Sequence, residues 1–113
     1  MCDDLRVAEV ELLDEIVEWL DTLSDLEHDR VVVLIDRLAD LGSRARMPFS
    51  RSLGQGLFEL RFPLGPTCRG ITYRFAKDGH IVLLTTFRKQ RNNERGEIER
   101  ARKQAVADAA SNP

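Results

Sequence analysis

Cysteine, histidine and aromatic residues are scarce in this chain, and each scarcity removes a class of protein. Two cysteines in 113 residues, Cys2 and Cys68, make neither a disulfide framework nor a zinc-ligand spacing. They read as incidental thiols in a reducing compartment. No apolar run approaches the ~20 residues that span a bilayer, and an acidic N-terminus has the wrong sign for a signal peptide. The expected location is the cytoplasm, without membrane association. No Ser-His-Asp arrangement, phosphate-binding glycine loop or metal-ligand cluster occurs, so neither cofactor nor metal is expected. An apolar content of 42% is nevertheless enough for one core, and residues 1–113 read as a single domain.

Net charge is nearly absent too, at −2, but only because two opposite halves cancel. Residues 1–43 hold 13 Asp+Glu against 3 Lys+Arg, and residues 44–113 hold 6 against 14. The basic half places arginines at alternating strand positions and in a run of Arg88, Lys89, Arg91 and Arg95. Such asymmetry points to an anionic partner, nucleic acid above all.

Arg6 to Leu12 alternates apolar with polar and reads as a first strand. From Asp14 the spacing becomes helical, with Ile16, Trp19, Leu20 and Leu23 on one face and acidic residues towards the start. Trp19 and the leucine stripes are assigned to the core, and the acidic faces to solvent. Ser24-Asp25-Leu26-Glu27 is a capping box opening a second helix, which buries Val31, Leu34, Ile35, Leu38 and Leu41 and stops at Gly42. Residues 43–56 have turn chemistry without a period and read as loop. Three strands follow, 57–62, 70–76 and 80–87, the last two joined by a turn at Lys77-Asp78-Gly79. From Arg95 the chain is helix-prone, with a frayed tail expected over 106–113.

Side chains two apart on a strand share a face. Phe58, Leu60 and Phe62 therefore point inward with Ile71, Tyr73 and Phe75. Glu59, Arg61, Gly70, Thr72 and Arg74 point outward. The last strand is apolar on both faces and reads as central, and its end delivers the basic run. Arg61, Arg74 and that run are expected on one concave face.

These residues resemble a family. Gly-Leu-Phe-Glu-Leu-Arg (56–61), Ile-Thr-Tyr-Arg-Phe (71–75), Asp-Gly-His-Ile-Val-Leu-Leu (78–84), Thr-Phe-Arg-Lys (86–89) and Glu-Ile-Glu-Arg-Ala (97–101) are similar to the RelE/ParE toxin superfamily, in particular its phage-derived HigB-like branch. The resemblance implies an α+β RelE-like fold: two N-terminal helices on a curved, mainly antiparallel sheet, with a C-terminal helix. It also implies ribosome-dependent cleavage of mRNA and a cognate antitoxin, a helix-turn-helix DNA-binding protein. By position, Arg61 matches the arginine of the family's Glu-Leu-Arg strand and Lys89 the lysine after its Phe, with Arg91 in the basic segment beyond. Two positions depart from the pattern. Many relatives have an arginine where Gly70 stands, and Gln90 replaces a second lysine. Arg69, one residue before Gly70, has the wrong parity unless the strand is bulged.

RNA brings its own nucleophile, the 2′-hydroxyl, so the protein has to align the attack, move protons and stabilise the phosphorane. The catalytic candidates are Arg61, Arg74, Lys89 and Arg91. Arg61 and Arg74 suit bidentate phosphate clamping. Lys89 suits proton transfer, its pKa expected to be lowered by Arg88 and Arg91. Arg69, Arg88 and Arg95 are candidates for contact with RNA or the ribosome. Glu59 is expected to orient Arg61, Tyr73 to lie in the core, and His28 and His80 to lie at the surface. Two other functions stay open: a ParE-like inhibitor of DNA gyrase, and an inert RNA- or antitoxin-binding remnant.

Overall fold

The computed structural model describes residues 9–90 and 92–113. Cys2, residues 6–8 of the expected first strand and Arg91 lie outside them. In chain order the elements are β1 (Val10–Leu12), α1 (Asp14–Asp21), α2 (Asp25–Leu41), β2 (Ser50–Gly54), β3 (Leu57–Leu64), β4 (Thr67–Phe75), β5 (Ile81–Arg88) and α3 (Glu94–Ser111). The sheet runs β1-β5-β4-β3-β2, parallel between β1 and β5 and antiparallel elsewhere. The α+β class and the mainly antiparallel sheet agree with the sequence reading.

The capping box forms as expected. Ser24 Oγ accepts from the Glu27 amide at 3.2 Å, and the Ser24 amide donates back to Glu27 Oε1 at 3.3 Å, satisfying amides that the helix start leaves free. Gly42, at φ 55°, ends α2 in a conformation that a side chain would strain.

Sheet parity divides the core in two. Leu60, Phe62, Ile71, Tyr73, Ile81 and Leu83 face α1 and α2, meeting Ile16, Val31, Ile35 and Leu38, with Trp19 packed alongside. On the opposite face Leu57, Val82, Leu84 and Ala76 meet Ala101 and Ile98 of α3. Strand β5 is buried from Ile81 to Phe87 because helices cover it on both sides. Tyr73 is in the core as expected, 1% exposed, with its hydroxyl 2.5 Å from Ser50 Oγ. Burial lifts its pKa, and the Ser50 contact partly opposes this.

Three boundaries differ from the sequence reading. First, β2 forms inside the expected loop. Its Ser-Arg-Ser-Leu-Gly carries a single large apolar residue, so pairing with β3 at the sheet edge makes it a strand without hydrophobic alternation. Second, β3 continues through Pro63 to Leu64. Pairing with β2 ends at Leu60, so Pro63 sits where no neighbour needs its missing N–H. Third, α3 continues to Ser111 where a frayed tail was expected. Its end is fastened by Asn112 Nδ2 donating to Glu11 Oε1 at 2.8 Å and by Arg74 donating to the Asn112 carbonyl at 3.3 Å.

Candidate functional site

The α3 face of the sheet is where the basic residues meet. Alternation along β3 places Leu57, Glu59 and Arg61 there. The register sets Arg61 opposite Gly70 and Gly70 opposite Phe87, and Lys89 follows just beyond the end of β5. α3 covers one end of this face, leaving Arg61 half-exposed near the other. Among the described residues the Arg61 guanidinium has no ion pair or hydrogen-bond partner. Its strand is nonetheless fixed, the Arg61 amide donating to the Phe49 carbonyl at 3.0 Å.

At the centre of the face lies Glu59, fully buried. Arg51 Nε donates to Glu59 Oε1 at 2.9 Å, and Lys89 Nζ donates to Oε2 at 3.2 Å. A second carboxylate, Glu94 in the first turn of α3, accepts from Arg51 Nη2 at 2.8 Å and from Lys89 Nζ. The Lys89 bond first, with Arg51 adding to it, holds Glu94 below the usual carboxylate range. Lys89 Nζ also lies 5.4 Å from the centre of the Phe87 ring, a cation–π contact.

This arrangement corrects two expectations. Glu59 does not orient Arg61; its partners are Arg51 and Lys89. Among the described residues the groups touching Lys89 are two carboxylates and an aromatic ring, where the sequence pointed to its arginine neighbours. Gly70 explains part of this. A Cβ there would lie 2.9 Å from Glu59 Oε2 and 3.1 Å from Phe87 Cζ, so the missing side chain is the space that Glu59 and Phe87 occupy.

Arg74 shares the face but is not brought to Arg61. It lies one pleat beyond Thr72 and pairs with Asp108 beneath the far end of α3, and both side chains are largely buried, at 12% and 6% exposure. Its geometry serves to fasten α3. Arg69 lies on the opposite face. The bulge that would have turned it exists, but the extra residue is in β5, since Thr72 pairs Thr85 while Tyr73 pairs Leu83, and β4 keeps its parity. Arg69 Nε donates to Thr86 Oγ1 at 3.0 Å, and its guanidinium stacks 4.7 Å from the centre of the Trp19 ring. Burial, then Arg88 across the strand pair, pulls its pKa below the ordinary arginine value. Arg88 and Arg95 are exposed.

The histidines and the acidic helices fall elsewhere. His80 Nδ1 lies 2.5 Å from Asp78 Oδ1 and Nε2 lies 3.1 Å from Glu11 Oε1, tying the β4–β5 turn to β1. The Asp78 bond, which outweighs desolvation, raises its pKa. Glu15 does not simply face solvent with the other acids of α1. Because β1 ends at Leu12, the Thr86 amide of β5 lacks a strand partner on that side, and Glu15 Oε2 accepts from it at 2.9 Å. Glu15 also pairs with Arg100 of α3. Among the described residues no group of three or more His, Cys, Asp and Glu side chains converges as a metal site would require.

Sequence reasoning missed Arg51 and Glu94. Arg51 lies on the strand that has no periodicity, so nothing local marks it. Glu94 carried a weak signal as an acidic residue opening a helix directly after a basic run.

The sheet order, the helix pair on one face and the single helix on the other define a RelE-like fold. The toxin RelE from Escherichia coli, in the free state of a mutant, superposes with a TM-score of 0.58 at 7% identity over 88% of this chain and 95% of that one. RelE of the archaeal RelE–RelB complex from Pyrococcus horikoshii OT3 gives 0.55 at 22% identity over 74% and 97%. A search of curated proteins finds no significant match. More specifically, residues 18–106 match the family model described as phage derived protein Gp49-like (DUF891), and the chain belongs to that family.

Proposed function

We propose that this chain is the toxin of a type II toxin–antitoxin pair and cleaves mRNA on the ribosome, silenced by a cognate antitoxin of the helix-turn-helix type. The observation that carries the reading is Arg61: a guanidinium with no partner among the described residues, on the sheet face of the Lys89–Glu59 pair and at the open end of a RelE-like sheet in a Gp49-like chain. In the proposed reaction the 2′-hydroxyl attacks the adjacent phosphorus and the 5′-oxygen leaves, giving a cyclic phosphate and a 5′-hydroxyl. Arg61 stabilises the phosphorane oxygens. Lys89 is assigned the proton for the leaving oxygen, while the proton lost by the 2′-hydroxyl passes to water, from which Lys89 is reprotonated. Arg88 and Arg95, with Arg69 on the other face of the sheet, supply the electrostatic footprint for rRNA and mRNA, and Arg91 keeps its assignment as a catalytic candidate. Arg74 is assigned a positioning role through α3.

The neutralised centre around Gly70 and Glu59 favours a second reading, in which the face binds a macromolecule without cleaving RNA, as a ParE-like gyrase inhibitor would. Induced expression separates the two. Translation arrest with discrete mRNA cuts, lost in Arg61→Ala at matched protein level, is the expected result. DNA damage with intact mRNA would establish the second reading instead.

A further inference from the structure

We propose that Arg51 and Lys89 form a binding site for an RNA phosphate, and that Glu94 fills this site in the free protein. The inference deepens the endoribonuclease reading and rests on it for the identity of the ligand. Two cations, one from β2 and one just beyond the end of β5, converge on one anionic oxygen, Glu94 Oε1, which Arg51 Nη2 approaches to 2.8 Å and to which Lys89 Nζ also donates. That is the donor geometry a phosphate oxygen requires.

The two carboxylates at the site differ in freedom. Glu59 is fully buried and holds both cations from below, Arg51 at 2.9 Å and Lys89 at 3.2 Å, so it fixes their positions. Glu94 is 44% exposed and stands in the first turn of α3, where Asn93 makes no side-chain capping bond. It can rotate into water without unpacking the core. Arg51, Lys89 and Glu59 then carry a net charge of +1, with Arg61 on the same face. An arriving phosphodiester replaces the Glu94 carboxylate charge for charge. While Glu94 stays in place, the same phosphate meets a neutral cluster and a like charge.

The test is binding of a fluorescein-labelled, fully 2′-O-methylated single-stranded RNA, which cannot undergo attack by its 2′-oxygen, followed by anisotropy at one fixed salt concentration. Glu94→Gln removes the competing charge and is expected to tighten binding about fivefold, the scale of one exposed ion pair. Glu97→Gln, which removes a carboxylate paired with Arg100 one turn along α3, is expected to leave affinity unchanged. Adding Arg51→Ala to Glu94→Gln is expected to abolish the gain, with circular dichroism confirming that each variant is folded. Equal binding by wild type and Glu94→Gln, equal tightening by Glu97→Gln, or no binding by any variant overturns the site. Ribosome-dependent cleavage is scored in parallel. If Glu94→Gln binds more tightly while no variant cuts mRNA, the phosphate site stands and the endoribonuclease reading falls. If mRNA is cut without any tightening by Glu94→Gln, the endoribonuclease reading stands and the phosphate site falls.

Discussion

Replacing Gly70 by alanine adds one methyl group at a crowded point of the sheet, and the cost follows from its neighbours. The new Cβ would lie 2.9 Å from Glu59 Oε2, 3.1 Å from Phe87 Cζ and 3.3 Å from Phe87 Cε1. Neither neighbour yields easily. Glu59 is fully buried and bonded to Arg51 and Lys89, and Phe87 is 4% exposed. Overpacking of this kind costs about 1–3 kcal/mol. Gly70 is not among the glycines with positive φ, so alanine recovers about 0.4–1 kcal/mol by restricting the unfolded chain. The net expectation is a loss of about 1–2 kcal/mol, or roughly 5–10 °C in Tm for a domain of this size. Urea unfolding followed by the fluorescence of Trp19, the only tryptophan, measures it. The same substitution in a Glu59→Ala background removes the shortest contact, so its cost should shrink by at least about 0.5 kcal/mol. A Gly70→Ala protein as stable as wild type, or strictly additive costs, would refute the claim that Glu59 occupies the vacancy left by the glycine.

Lys89→Arg keeps the charge while its guanidinium does not deprotonate near neutral pH, so it is expected to bind ribosomes like wild type and cleave poorly in single-turnover assays, whereas Lys89→Ala should lose both. Equal cleavage by wild type and Lys89→Arg would remove the proton-transfer role. Arg74→Ala leaves the Asp108 carboxylate buried without its cation and is expected to cost about 2–4 kcal/mol in urea unfolding; a loss of activity with unchanged stability would contradict its assignment to α3. His80 has a raised folded-state pKa, so its bonds to Asp78 and Glu11 contribute fully below the ordinary value of 6.5 and are lost as pH rises through the raised one. Between pH 6 and 8.5 wild type should therefore lose more thermal stability than His80→Asn, and parallel pH profiles would show the histidine to be idle.

The sequence disclosed those features that depend on local pattern. Ser24 and Glu27 are three apart and cap α2 because capping needs only its own turn. Phe58, Leu60, Ile71 and Tyr73 alternate, so the buried face of the sheet was readable before any pairing was known. Partnerships set by tertiary contact were not readable. Parity placed Glu59 and Arg61 together and suggested that they pair, yet β2 brings Arg51 to Glu59 from outside, and the turn before α3 brings Glu94 over Lys89. Arg74 has the parity of Arg61 but lies under a helix whose docking the weak amphipathicity of α3 did not announce. A bulge near Arg69 was compatible with the sequence, but nothing local shows that the extra residue falls at Leu84 in β5 and leaves Arg69 where parity alone puts it.

Pairing also changes what the charge asymmetry means. Read as composition, the second half of the chain is a strongly basic body that would attract any polyanion. Folded, four of its fourteen cations are matched among the described residues: Arg51 and Lys89 by Glu59 and Glu94, Arg74 by Asp108, and Arg100 by Glu15 and Glu97. Glu15 belongs to the acidic half, so the two halves neutralise one another across the α1–α3 junction. Among the described residues the cations left without a carboxylate include Arg61, Arg88 and Arg95, near the end of β5 and the start of α3. Their field falls off within a Debye length of about 8 Å at physiological salt. Recognition of the proposed RNA partner is therefore expected to depend on how its phosphates seat in this region, where Arg61 is the open cation and the Glu94 carboxylate the competing anion.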